Sequence, residues 1–231
     1  MIDFQGFGDQ LLLGAWMTLR VAFGALVVGL ALGLLGATAK LSGSRIARAA
    51  AEAYTTVVRG LPELLVVLII YFGSSRLLTT AAEWLGHNEF IELSPYAAGI
   101  TALGLSFGAY ATEVFRGAIL AIPKGQIEAA HAFGMGRFLT FRRIVLPQVW
   151  RIALPGLGNL FLVLLKDTSL ISVIGLDELM RKAAIAVGFT REPFTFYLAA
   201  AVLYLTMTIV TMAVLNRAER AAQKGIPKAA G

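Results

Sequence analysis

Apolar residues in this chain gather into long unbroken blocks rather than into a short-period alternation. Leu11–Ala39 is interrupted by one charge, Arg20, while Leu93–Thr112 and Pro193–Asn216 carry none. Each block reaches the roughly 20 residues that a helix needs to cross about 30 Å of hydrocarbon. Two further blocks are less clean: Leu61–Ala82 contains Glu63 and Arg76, and Ile152–Leu176 is divided by Lys166 and Asp167. The pattern predicts five transmembrane helices, at about residues 11–39, 61–82, 93–115, 152–176 and 193–216, with the intervening stretch of about 116–151 outside the lipid. The fold expected is an all-α integral membrane protein, a single transmembrane domain over residues 1–231.

Composition agrees. A chain of 231 residues that is 58% hydrophobic and only 15% charged exceeds what a soluble core needs. The net charge of +6 raises the question of nucleic acid, so its distribution matters. Lys40, Arg45, Arg48 and Arg59 follow the first span; Arg116, Lys124, Arg137, Arg142, Arg143 and Arg151 lie between the third and fourth; Arg217, Arg220, Lys224 and Lys228 follow the fifth. With five spans all of these share one side, and the other side keeps only Arg76, Arg181, Lys182 and Arg191. The positive-inside rule places the N-terminus outside (periplasmic) and the C-terminus in the cytoplasm. The basic balance therefore reports topology, and no nucleic-acid partner is expected. Nothing basic precedes the first block, so it is read as a retained span rather than a cleaved signal. Cysteine is absent, and His87 and His131 stand far apart, which leaves no thiolate chemistry and no metal site to expect.

The segment outside the lipid contains "GQIEAAHAF", a run of good helix formers ended by Gly134. "GRFLTFRRIVLPQVW" follows, with Phe138, Phe141, Ile144 and Val145 at helical spacing before Pro147 breaks the pattern. Two short helices about a glycine turn, lying on the cytoplasmic face, are expected. On spacing alone they fit an inert pair packed on the spans with arginines toward headgroups.

Four helix-embedded ionisable positions stand out: Arg20, Glu63, Lys166 and Asp167. Charges at membrane depth face a bundle interior or an aqueous cavity, or else pair structurally or snorkel. Glu63 is placed near the cytoplasmic end of its span, after a cytoplasmic helix over 42–59 and a kink or start at Pro62. Lys166 and Asp167 split the fourth block, Pro155, Gly156 and Gly158 loosen its first half, and Thr168 and Ser169 add hydroxyls at the break. Broken helices of this kind line translocation sites. "GLALG", Gly29 to Gly33, and "GLSFG", Gly104 to Gly108, are small-xxx-small patterns that let helices touch, a dimer contact being one use.

"EAAHAFGMGRFLTFRRIVLP" resembles the EAA loop of bacterial ABC-importer permeases. That loop runs Glu-Ala-Ala, three variable residues, Gly, nine variable residues, then Ile-x-Leu-Pro, and Glu128, Ala129, Ala130, Gly134, Ile144, Leu146 and Pro147 fill it without insertion. "YTTVVRGLPELLVVLIIYFG", "FGAYATEVFRGAILAIPKGQ", "LPGLGN" and "LKDTSLISVIGL" are similar to polar amino-acid permeases. The layout is closest to the Q-type subunits of histidine, lysine/arginine/ornithine, octopine and nopaline systems. The resemblance implies a multi-pass permease of the bacterial inner membrane, surrounded by membrane lipid, whose EAA loop is a coupling helix docking on a dimer of ATP-binding subunits. It also implies a second permease subunit, either an M-type homologue or a copy of this chain, and a periplasmic substrate-binding protein. The cargo implied is a basic amino acid or an opine. The chain has no Gly-x-x-x-x-Gly-Lys-Ser/Thr loop, so ATP and Mg are expected on the partner ATPase and no cofactor here. Secondary transport and a non-transporting membrane scaffold are the competing classes.

Overall fold

The computed structural model describes residues 6–84 and 93–223, all helix, turn or irregular backbone with no strand among them. His87, Lys224 and Lys228 lie outside the described residues. The helices run α1 Gly8–Leu41, α2 Arg45–Gly60, α3 Glu63–Trp84, α4 Pro95–Leu120, α5 Lys124–Ala132, α6 Arg137–Thr140, α7 Leu146–Asp167, α8 Leu179–Thr190 and α9 Pro193–Ala222. A π-helical turn, Phe141–Val145, joins α6 to α7, and a 3₁₀ segment, Thr168–Ile174, follows α7. By length and composition four stretches can cross a membrane: Gly8–Leu41, Glu63–Thr80, Arg137–Ile174 and Pro193–Ala222. The third expected span, α4, qualifies only together with α5, from which it is bent by 61°.

The core is built on α1 and α4, which run parallel with their backbones in close approach. Small residues make this possible. A Cβ on Gly33 would stand 2.6 Å from the Ala111 Cβ, one on Gly29 would stand 3.1 Å from the Gly104 carbonyl oxygen, and one on Gly104 would stand 2.8 Å from Val28. The two small-xxx-small patterns therefore meet each other inside the chain, α1 against α4, and neither is left over as a dimer contact. In lipid no hydrophobic force draws helices together, so packing of this closeness supplies the association.

The helix expected on the cytoplasmic surface is placed differently. After α1 the chain reverses at Ser42–Gly43, and Ser44 caps α2 by accepting the Ala47 N–H at 3.3 Å. α2 then folds back along the bundle. Its Tyr54 hydroxyl donates to the Leu105 carbonyl at 2.7 Å, near the middle of α4, and its buried face is made of the small Ala51 and Thr55. Glu63 is the first residue of α3 and of the apolar stretch Glu63–Thr80, at the end of the span where it was expected. The strong amphipathicity of α2 suits a cavity wall as well as a membrane surface, which is why the pattern did not separate them.

Pro147 does not break its helix. It occupies the first turn of α7, where a missing N–H is tolerated. The preceding π turn absorbs the irregularity, and the Ile144 carbonyl accepts from the Gln148 side chain at 2.8 Å. Nor do Pro155, Gly156 and Gly158 break α7. Gly156 and Gly158 give room instead to Val114 and Leu215. The real change comes at Thr168, where α-helix becomes 3₁₀, and the segment ends at Gly175 with φ +93°.

Candidate functional site

Two sites emerge. At one end of the bundle α5 carries Glu128 and Ala129 exposed and Ala130 buried. The helix stops in a Schellman turn: the Met135 N–H reaches the Ala130 carbonyl at 3.0 Å and the Gly134 N–H reaches the His131 carbonyl at 2.9 Å. Gly134 sits at φ +78° with nothing within 4 Å of an added Cβ, so glycine is required there for its backbone and not for space. Behind α5 a shallow groove of about 400 Å³ runs between Ala129, Phe133, Ile144 and Pro147. Ile144 is half-buried, and Leu146 and Pro147 are exposed. The structure thus brings the seven motif residues onto one compact element. Phe133, 89% exposed at the C-cap of α5, escaped the sequence reading because it falls among the motif's variable positions.

The second site lies around the end of α7, where α3 packs on the 3₁₀ segment. Asp167, half-buried, has Glu63 of α3 and its neighbour Lys166 within electrostatic reach. No hydrogen bond or ion pair ties Asp167 or Glu63 to another described residue. Arg20 is not their partner: its guanidinium lies over the Tyr96 ring at 5.3 Å. Lys166 is exposed and borders a separate pocket with Ser169, Tyr197 and Tyr204. Thr168 is buried and donates to the Leu165 carbonyl at 2.7 Å, and Ser169 donates to the Lys166 carbonyl at 2.8 Å. Of the helix-embedded candidates the fold brings Glu63 within electrostatic reach of Asp167, keeps the Thr168 and Ser169 hydroxyls on their own backbone, and sets Arg20 over Tyr96.

Beyond the 3₁₀ segment, Asp177 gathers Arg181 at 3.1 Å and Lys182 at 3.0 Å. The Lys182 hydrogen bond holds the Asp177 carboxyl below the usual carboxylate range.

This architecture has known counterparts. Residues 25–224 match the profile of the binding-protein-dependent transport system inner membrane component. The octopine transport system permease protein OccQ of Rhizobium radiobacter is 49% identical over 97% of this chain and 94% of its own length. The histidine/lysine/arginine/ornithine transport system permease protein HisQ of Escherichia coli (strain K12) is 43% identical over 97% and 98%. Among solved structures, an amino acid ABC transporter crystallised with histidines superposes with a TM-score of 0.79 at 32% identity, covering 96% of this chain and 99% of that one. A subunit of the MetNI methionine ABC transporter shares the fold at 21% identity and a TM-score of 0.72, covering 93% and 96%. With the profile covering most of the chain and these relatives aligned nearly end to end, the chain belongs to the family of inner-membrane components of binding-protein-dependent transport systems, a multi-pass permease whose ATP hydrolysis resides on a separate subunit.

Proposed function

We propose that this chain forms half of the translocation path of an importer for cationic amino acids or opines derived from them. The observation that carries the reading is the pair of carboxylates, Glu63 and Asp167, that lie within electrostatic reach of each other and make no ion pair with another described residue. Two like charges in a poorly screened environment destabilise each other until a cation arrives between them. A guanidinium or ammonium cargo supplies that cation. The unwound turn at Thr168 and Ser169 adds backbone carbonyls, as in the broken helices of other transporters. OccQ and HisQ, named for octopine and for histidine, lysine, arginine and ornithine, support this class of substrate.

The termini follow from charge, N-terminus periplasmic and C-terminus cytoplasmic, which puts α5 on the cytoplasmic side. There Glu128, Ala129, Ala130 and Gly134 act as the coupling element, with Ile144, Leu146 and Pro147 as its seat. Ala129 permits close approach, Glu128 gives an acidic contact and Phe133 an aromatic knob for a groove on an ATP-binding subunit, which holds ATP and Mg. A second permease, an M-type homologue or another copy, completes the path, and a periplasmic binding protein delivers the cargo. Family membership leaves no place for the secondary-transporter or scaffold readings. The test is reconstitution with the partner subunits and competition for uptake among radiolabelled arginine, lysine, histidine, glutamine and octopine. Cationic substrates should compete and glutamine should not; the reverse order would overturn the substrate class.

A further inference from the structure

Glu178 is fully buried, and nothing in the transport reading uses it. It is the N-cap of α8, accepting the Met180 N–H at 2.9 Å and the Arg181 N–H at 2.8 Å. Capping alone asks for no such burial, since caps work at exposed helix ends as well. Here groups from two other helices close over the cap. The Tyr204 hydroxyl on α9 donates to the carboxylate at 3.1 Å, and the Thr18 hydroxyl on α1 binds the next residue of the cap, its oxygen accepting the Leu179 N–H at 3.3 Å. Gly14 lets the backbones come this near: a Cβ there would stand 2.9 Å from the Leu179 Cα.

Two links lead from this cluster to the 3₁₀ segment. Tyr204 lines one pocket with Lys166 and Ser169, which flank Asp167 and Thr168 along the chain. Arg181, whose N–H Glu178 caps, donates through Nη1 to the Ser172 carbonyl at 3.3 Å. A 3₁₀ segment has weaker internal bonds than an α-helix, so outside anchors decide where it stands. Two backbone N–H groups and a phenol hydroxyl converging on one buried carboxyl supply such an anchor.

We propose that Glu178 is a positioning residue for the translocation path, tying α1, α8 and α9 to the turn that carries Asp167 and thereby fixing where that carboxylate stands. The role rests on the reading of Asp167 as the counter-charge of the cargo. Glu178 touches no cargo and acts through Tyr204 and Arg181.

The chain has no cysteine, so Ser172→Cys places a single thiol on the 3₁₀ segment of the complete reconstituted transporter. Glu178→Gln in that background keeps the shape but sets an amide NH₂ where an oxygen accepts. The thiol's reaction with a small maleimide should change by up to about tenfold, the worth of one hydrogen bond. The KM for arginine should rise by a similar factor while Vmax of the assembled complex stays within about twofold, the split expected when a binding geometry is lost. Tyr204→Phe should shift both readouts in the same direction by less. Unaltered labelling and KM in Glu178→Gln, or poor assembly with normal KM in what assembles, would overturn the role. Asp167→Asn, run in parallel, separates the two claims. Unchanged arginine uptake there removes the Asp167 reading, whereas lost uptake beside an unaffected Glu178→Gln removes the positioning role alone.

Discussion

The Lys40 ammonium on α1 stands 2.6 Å from a Glu113 oxygen on α4. Glu52 of α2 lies 3.1 Å from the same nitrogen, and Arg116 takes the other Glu113 oxygen at 2.8 Å. The Lys40 side chain is only 6% exposed, so a buried ammonium meets partly solvated carboxylates at a junction of three helices. Removing one partner of a buried pair strands the other charge. Lys40→Met should destabilise the purified permease by roughly 1–3 kcal/mol, less than for a fully buried pair because Glu113 keeps Arg116. Lys40→Met combined with Glu113→Met should cost less than the sum of the single changes in thermal unfolding. Additive losses would mean that the pair has no coupling.

Close approach of α1 and α4 makes its own forecast. Gly33→Val inserts a branched side chain where even a Cβ would meet Ala111 at 2.6 Å, and the helices can give way only by separating. Little folded permease should accumulate in the membrane. Gly117→Ala, on α4 with nothing within 4 Å of the new methyl, should be neutral or raise stability by about 0.5–1 kcal/mol through helix propensity. Equal accumulation of the two variants in a membrane fraction would refute the packing argument.

Much of this was legible along the chain. Long apolar blocks give spans directly because lipid demands length and backbone satisfaction from each helix by itself. The glycine turn after "EAAHAF" was legible too, since Gly134 is ended by local hydrogen bonds that need no distant partner. What stayed hidden depended on where elements cross. Tyr54 reads as one aromatic on an amphipathic helix until its hydroxyl is found on Leu105. Glu63 and Asp167 are more than a hundred positions apart, and only the packing of α3 on the 3₁₀ segment brings them within reach. Glu178 looks like an ordinary cap in "LDELMRK", and its burial comes from Thr18 and Tyr204 on other helices.

At the α5 turn, backbone conformation and side-chain contact separate cleanly. Gly134 needs φ +78° in open space, so Gly134→Asn, which tolerates that region, should keep most activity. Gly134→Val should lose about 1–2 kcal/mol of turn stability, as a β-branched residue in the left-handed region does. Uptake should fall, and the ATPase should lose stimulation by loaded binding protein. Glu128→Lys and Phe133→Ala leave the turn intact and test the docking face itself. Normal stimulation in all four variants would show that α5 is not the coupling element.

The charge-based orientation is tested by the same cysteine-free background. Glu192→Cys, at the exposed start of α9, should react with an impermeant maleimide in intact spheroplasts. Gly125→Cys, on α5, should react only after permeabilisation. The opposite pattern would invert the topology, and with it the assignment of α5 to the ATPase side.

The acidic pair gives the sharpest test of the substrate class. Asp167→Asn preserves volume and removes one of the two charges; Glu63→Gln does the same for the other. Neither carboxylate makes a hydrogen bond or ion pair with another described residue, Lys166 beside Asp167 is exposed, and Arg20 is occupied over Tyr96, so neither change strands a buried partner. Assembly in the membrane should therefore stay close to normal, unlike the loss expected from breaking a buried ion pair. A cargo cation that meets one carboxylate instead of two loses a charge-assisted contact worth about 1.5–3 kcal/mol, or roughly ten- to hundredfold in apparent affinity. Asp167→Asn should raise the KM for arginine or lysine by that order, and joining it with Glu63→Gln should abolish saturable uptake. A neutral analogue such as citrulline should gain relative to arginine in both variants, because the penalty for lacking a cation has gone. If arginine and citrulline fall together, the carboxylates shape the path without reading charge; if arginine kinetics are unchanged in the double variant, the cargo does not pass between Glu63 and Asp167.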